Sequence, residues 1–413
     1  MGKSPLLIIF LVVFVDLVGF GIVIPILPYY AKSFGASATV LGILMMSYSA
    51  MQFLFSPFWG RLSDRIGRRP VILTSLLGIG LSMLILGMAE SLAWLFAGRL
   101  LAGFFGANIS AASAYIADVT PPDKRAKGMG LIGAAFGLGF LFGPALGGIL
   151  SQYGYGTAAY VAAGLSLLNL IFAALKLKEP VLSRELRESH RNRFTTELGK
   201  MILANPKTGF AILLFFLVTM GFAQLEATFA LYLLAQFGLG AQQAGWILAA
   251  MALVMVLIQG GAIGQLVKAL GEVKLVGIGT ALMTIALFSA SVSHTLTLFV
   301  IFLLFQALGY AVTNPSLLSL TSRNAATGAQ GATMGVYQSA GSLARVIGPI
   351  SAGFLFDHYG DQVPFWAASG LFSLACLIML WRKSTWGEDS SKDLLSRRVM
   401  NPHSPEPFPS ESL

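Results

Sequence analysis

Gly60-Arg61-Leu62-Ser63-Asp64-Arg65-Ile66-Gly67-Arg68-Arg69-Pro70 gathers four arginines, one aspartate and two glycines in an otherwise oily chain. Apolar runs flank it closely, from Val40 to Trp59 and from Val71 to Met88. A segment this charged cannot lie in hydrocarbon, so it predicts a tight turn between two spanning helices. Gly60 and Gly67 suit the close approach and sharp bend that such a turn needs. The excess of arginine places the turn on the cytoplasmic side.

The rest of the chain fits that frame. Of 413 residues, 56% are hydrophobic and 11% charged, more apolar surface than a soluble fold can hide. A spanning helix needs about 20 apolar residues. Twelve such segments can be placed, near 6–30, 40–59, 71–89, 92–118, 128–150, 157–175, 208–235, 243–267, 275–293, 296–321, 332–356 and 364–381. The first carries Asp16, is longer than the apolar core of a leader peptide and has no clear small-residue cleavage site; it is read as a span.

The net charge of +9 orients the protein and does not point to nucleic acid. Of 27 Lys and Arg, 24 fall in the N-terminus, the alternate loops on the side of the 60–70 turn, and the C-terminal tail. That asymmetry predicts both termini on the cytoplasmic side. Cys376 is the single cysteine, so no internal disulfide is possible.

A repeat divides the chain. Gly264 to Gly271 echoes Gly60 to Gly67 at an offset of 204, and Gly348-Pro349 echoes Gly143-Pro144 at 205. Gly309 and Asn314 echo Gly103 and Asn108 at 206. Nearly constant offsets indicate two related six-helix halves, 1–177 and 208–382. A charged linker, 178–207, joins them, and 383–413, rich in Pro, reads as a disordered cytoplasmic tail. In the second half Lys268 stands where the first has Asp64, so any contact built on that aspartate is expected to be lost there.

Four charges fall inside spans: Asp16, Arg99, Glu226 and Arg345. Each costs roughly 2.5–3.5 kcal/mol at mid-helix on insertion scales, so none should face lipid. Asp16 and Glu226 either bind a proton and a polar ligand group or form structural ion pairs, Asp16 with Arg99 for example. Arg99, Gly103, Gly106, Ser110 and Ser113 recur at three- and four-residue spacing, one small polar face bearing a cation. Helical spacing offers Phe20, Tyr48, Gln52, Phe222, Phe229, Gln306, Tyr310, Asn314 and Gln338 as cavity candidates, an aromatic wall with a few amides suited to an amphiphilic substrate. No enzyme constellation appears, the four His lie outside the predicted spans, and no P-loop is present. No metal and no cofactor is expected.

Gly-x-Leu-x-Asp-Arg-x-Gly-Arg-Arg at 60–69 resembles the signature of the loop between the second and third helices of the major facilitator superfamily. The resemblance implies an all-α integral membrane fold of twelve transmembrane helices in two pseudo-symmetric halves. It implies a cytoplasmic gate made of Gly60, Asp64, Gly67, Arg68, Arg69 and Asp118. There Arg68 pairs with Asp118, and Asp64 faces the start of the eleventh helix near Gln330-Gly331-Ala332 in one state. An orientation-setting basic loop is the plainer alternative.

Gly130, Gly139, Gly143, Pro144, Gly147 and Gly148 match the fifth-helix motif associated with the superfamily's antiporters. Over residues 10–150 the chain is similar to bacterial tetracycline-type drug/proton antiporters, sharing Tyr48-Ser49-Ala50-Met51-Gln52 and Ile116-Ala117-Asp118. It departs from them at Ser82, where those carry an intramembrane Asp, and at Met255, where a His is aligned. The expectation is a monomer in the bacterial inner membrane, with the lipid bilayer and a small amphiphilic molecule as partners and protons as coupling ion. Proton-coupled uptake, lipid flipping and a non-transporting sensor or intramembrane enzyme remain as alternatives.

Overall fold

The computed structural model describes residues 5–106, 108–120, 125–180, 205–325 and 330–381. Residues 181–204 of the expected linker, and the tail from 383 on, lie outside the described residues. The described chain is helical throughout: α1 Pro5–Ser33, α2 Ala38–Ile66, α3 Arg68–Gly87, α4 Leu92–Phe105 continued by Asn108–Val119, α5 Arg125–Leu150, α6 Tyr155–Lys176. The second half follows with α7 Pro206–Phe237, α8 Ala241–Leu270, α9 Glu272–Ser291, α10 Leu296–Arg323, α11 Gln330–Tyr359 and α12 Val363–Trp381. Among the described residues eleven helices are long and apolar enough to cross a bilayer; α4, with its shorter apolar first piece, is the twelfth. His358, expected beyond a span, lies in the last turn of α11.

Local chemistry sets the joints. Gly67 takes a φ of 105°, a region L side chains rarely adopt, and lets α2 reverse into α3 with no further residue between them. The expected single span at 92–118 is instead broken after Gly106. A break in hydrocarbon frees carbonyls that need donors. Two side chains of α2 supply them: Gln52 Nε2 donates to the Gly106 carbonyl at 2.9 Å and Trp59 Nε1 to that of Phe104 at 2.6 Å. In α8 a π-turn at Ile258–Ala262 interrupts the helix at the level where α2 carries Pro57.

The halves pack alike. In the first, α1 lies on α5, α3 on α6 and α2 on α4; in the second, α7 lies on α11, α9 on α12 and α8 on α10. Two contacts related by the same repeat join the halves, α2 with α11 and α5 with α8. The fifth-helix motif sorts into two stripes of four-residue spacing. Gly139, Gly143 and Gly147 face α1, where a Cβ would meet Leu17, Gly21 and Ile22. Pro144 and Gly148 face Gly245 of α8, across the boundary between the halves. Gly130 meets open space, so the packed part of the motif begins at Gly139.

The 60–70 turn and the end of α4 mark one end of the bundle, here the basic end. Among the described residues the close contacts between halves run from mid-depth to the opposite, far end. There Gly42 abuts the Pro349 carbonyl and Gly353 the Ala38 carbonyl, and the Tyr29 hydroxyl donates to the Leu239 carbonyl at 3.2 Å. The far end is closed in this structure. A Cβ at Gly143 would lie 2.6 Å from the Gly21 Cα, backbone that cannot step aside. Gly143→Leu is therefore expected to destabilise the N-terminal half by about 3 kcal/mol or to abolish accumulation, read as melting temperature in detergent and as membrane abundance.

Candidate functional site

Two clusters stand out, one at mid-depth and one at the basic end. At mid-depth Arg99, 5% exposed, projects from the first piece of α4. Its guanidinium stands 4.4 Å from the Tyr48 ring and 5.9 Å from that of Phe20, and those two rings lie 5.2 Å apart. A cation over aromatic faces is stabilised without an anion, and more so where water is excluded. The guanidinium Nε has no hydrogen-bond partner, so the site holds an unused donor aimed into the protein.

Tyr48 lies in the electrostatic reach of Arg99, of Asp16, itself 5% exposed, and of Arg345. Glu226 of α7 interacts electrostatically with Arg345 and with Arg99. Tyr310 of α10, stacked on Phe222 at 4.3 Å, bears on both Arg345 and Glu226. Arg345 also reaches the Ser342 hydroxyl at 3.3 Å. Glu226 is thus under the electrostatic influence of two cations, one from each half of the molecule. The four intramembrane charges, scattered over 330 positions of sequence, meet in one neighbourhood built on α1, α2, α4, α7 and α11.

Other candidates fall elsewhere. Phe229 is 2% exposed and packs toward Phe299, so it is a core residue of the second half and no cavity wall. Gln306 is 0% exposed with both amide atoms unpartnered, buried away from any open cavity. Gln52 is engaged in mending the break in α4. Asn314 is half-buried one turn beyond Tyr310, and Gln338 is exposed on α11, seven residues and two turns from Arg345. Ser82, at the position of an expected departure, bonds the Ile79 carbonyl of its own helix at 2.7 Å.

The cytoplasmic-gate candidates form the second cluster. Arg68 opens α3 and reaches Asp64 at 2.6 Å, Asp118 at 2.9 Å and the Ser63 hydroxyl at 2.5 Å. With Gly60 and Ala111 these side chains line a cleft of about 230 Å³. Gln330-Gly331-Ala332, the expected partner of Asp64, lies outside the described side chains.

Glu179, just past α6, was not singled out by the sequence. Its carboxylate accepts from the backbone amides of Arg68 at 2.6 Å and Arg69 at 2.8 Å, capping α3 with both oxygens. Arg69 in turn donates to the Ala174 carbonyl at 2.7 Å, tying the turn to α6. Glu179→Leu is expected to cost about 1 kcal/mol, the scale of a lost helix cap, read as a lower melting temperature. Glu179→Gln, which keeps an acceptor oxygen, should lie between the two.

The second half keeps one contact of this cluster with reversed polarity: Glu272 opens α9 and pairs with Arg323 at the end of α10 at 2.8 Å, with the Ser319 hydroxyl at 3.1 Å, in the places of Arg68 and Asp118. Asp64, Arg68 and Asp118 in one half become Lys268, Glu272 and Arg323 in the other, every charge inverted.

Comparison with known proteins agrees with the architecture. The family model of the Major Facilitator Superfamily matches residues 9–262 and 227–402. The tetracycline resistance protein, class E, of Escherichia coli is 34% identical over 379 residues, 89% of this chain and 92% of that one. Multidrug resistance protein 2 of Bacillus subtilis (strain 168) is 30% identical over 390 residues, covering 92% and 96%. Among solved structures, that of the human organic anion transporter MFSD10 superposes with a TM-score of 0.70 at 27% identity, over 91% of this chain and all of the other. Matched in both halves by the family model, and along nearly its whole length by these transporters, the chain belongs to the major facilitator superfamily.

Proposed function

We propose that this secondary transporter exports an amphiphilic organic compound in exchange for protons, rocking its halves around the mid-depth cluster. The observation that carries the proposal is that Glu226 lies within the electrostatic reach of Arg345 of its own half and of Arg99 of the other. Ionised, Glu226 attracts a cation on each side of the boundary and favours their approach. A proton arriving on it removes that attraction and frees both arginines. A substrate that brings a cationic or hydrogen-bonding group to Glu226 competes with the proton for one carboxylate, and such competition is exchange. Phe20, Tyr48, Phe222 and Tyr310 supply apolar faces for the rest of an amphiphile.

The relatives, tetracycline and multidrug resistance proteins by name, support export as the direction. The fifth-helix motif supports it from the residues. In this reading the basic end is cytoplasmic, both termini lie on that side of a bacterial inner membrane, and the protein works as a monomer. The far end, closed here, is then periplasmic.

The test is proton movement in everted membrane vesicles made acidic inside and challenged with cationic and neutral amphiphiles. Release of protons on adding a compound, together with uptake of that compound into the vesicles, is the expected result. Compound movement in the opposite direction, with protons, would replace export by uptake. Compound flux indifferent to the proton gradient would remove proton coupling.

A further inference from the structure

At the far end one side chain closes the boundary in a way the mid-depth site does not explain. Asp357, near the end of α11, accepts from the backbone amides of Ala38 at 3.0 Å and Thr39 at 2.7 Å, the first residues of α2. The first amides of a helix have no partner within it, and its N-terminus carries partial positive charge. Ser37 takes the next amide, Val40, at 3.3 Å, so α2 is fully capped only when α11 of the other half supplies its carboxylate.

The same device is used differently elsewhere. Glu179 caps α3 with both oxygens, but from within one half, so that cap survives a movement between halves. At the repeat-related junction of α5 with α8, the Gly240 amide is taken by Gln243 of its own segment at 3.2 Å. There Gln152 stands at the position that matches Asp357, 205 residues earlier. Among these three caps, the Asp357 cap alone spans the boundary.

We infer that Asp357 is the far-end gate residue, a carboxylate cap that holds α2 against α11 in the closed-outside state and releases when that end opens. Asp357 is exposed to solvent and its bond to the Thr39 amide lies at the surface, so water can replace that bond first and the latch can open reversibly. Below it the two helices touch backbone to backbone, Gly42 on Pro349 and Gly353 on Ala38, with no room for water. The cap therefore sits at the rim where separation must begin. The inference rests on the alternating-access part of the proposed function and is independent of proton coupling.

The test reads conformation without substrate or gradient. In a Cys376→Ser background, Ile350→Cys, next to Gly42 in the closed interface, is labelled by a membrane-impermeant maleimide added to intact cells. Asp357→Ala is expected to raise the labelling rate about five-fold, the scale of a helix-terminus charge interaction. Asp357→Asn, which keeps one acceptor, should fall between. A second reporter, Gln338→Cys labelled from the basic end in everted vesicles, should slow as the far end opens; unfolding would instead speed both. Unchanged labelling of both reporters in Asp357→Ala would overturn the inference while leaving proton-driven export untouched. Loss of proton-driven export with these labelling shifts intact would strike the function and spare the gate.

Discussion

Vesicles carrying the Glu226→Gln protein are expected to exchange substrate across the membrane yet fail to concentrate it. A proton falling through 100 mV supplies about 2.3 kcal/mol. For a neutral substrate exchanged one for one, that sustains a gradient of roughly fifty-fold. Gln is neutral at every pH and mimics the protonated carboxyl, so the variant should still present its cavity to either side. What it loses is the means to tie that movement to a proton. The expected gradient is about one, with counterflow of labelled for unlabelled substrate preserved. A wild-type gradient in Glu226→Gln would move the proton to another group, Asp16 first, because Asp16 bears on the same Tyr48.

The second large effect is expected at Arg68. Its side chain is 11% exposed and holds Asp64, Asp118 and Ser63 together. Removing one partner of a buried ion pair leaves the other charged and uncompensated, typically at 3–5 kcal/mol. Arg68 lies near the aqueous end of the bundle, so Arg68→Ala should cost about 3 kcal/mol, read as a fall in melting temperature with loss of transport. The reversed polarity of the second half makes a sharper variant available. Asp64→Lys with Arg68→Glu and Asp118→Arg copies the charges of Lys268, Glu272 and Arg323, which the fold already tolerates there. Most of the lost stability should return in that triple variant. A triple variant as unstable as Arg68→Ala would mean that the cluster depends on its own sign, for instance through Glu179 on the neighbouring amides.

Much of this architecture was legible in the chain. Apolar segments of bilayer length, separated by turns of which every other one is basic, dictate the spans because the solvent leaves few alternatives. The repeat of glycines near one offset revealed two halves, and the helix contacts repeat in the same way. The four intramembrane charges were visible as costs that needed partners. Which partners they have was not visible, since Arg99 and Glu226 belong to different halves and meet only when the halves pack.

The misses have physical causes. Phe229 and Gln306 were proposed as cavity residues from helical spacing, but in a helix apolar all round spacing does not separate a core-facing side from a cavity-facing one. The break in α4 has no proline to announce it; it exists because Gln52 and Trp59 of another helix hold the freed carbonyls. Glu179 and Asp357 looked like ordinary acids near helix ends. Their role lies in the amides of α3 and α2, 111 and 319 residues away. The pair of Glu272 with Arg323 was not read from the sequence because the pattern was followed by residue type; followed by charge, it is the Arg68–Asp118 pair with its sign reversed.

The central claim is that Glu226 carries the exchanged proton, and proton release on substrate binding tests it most directly. Purified wild-type protein and Glu226→Gln would be titrated with one transported compound at fixed pH in two buffers of different ionisation enthalpy. The difference in heat between the buffers counts the protons exchanged. About one proton released per bound molecule by the wild type, and none by Glu226→Gln with binding retained, is the predicted result. Equal release from both proteins would contradict the account, because the proton that substrate displaces would then sit on some other group.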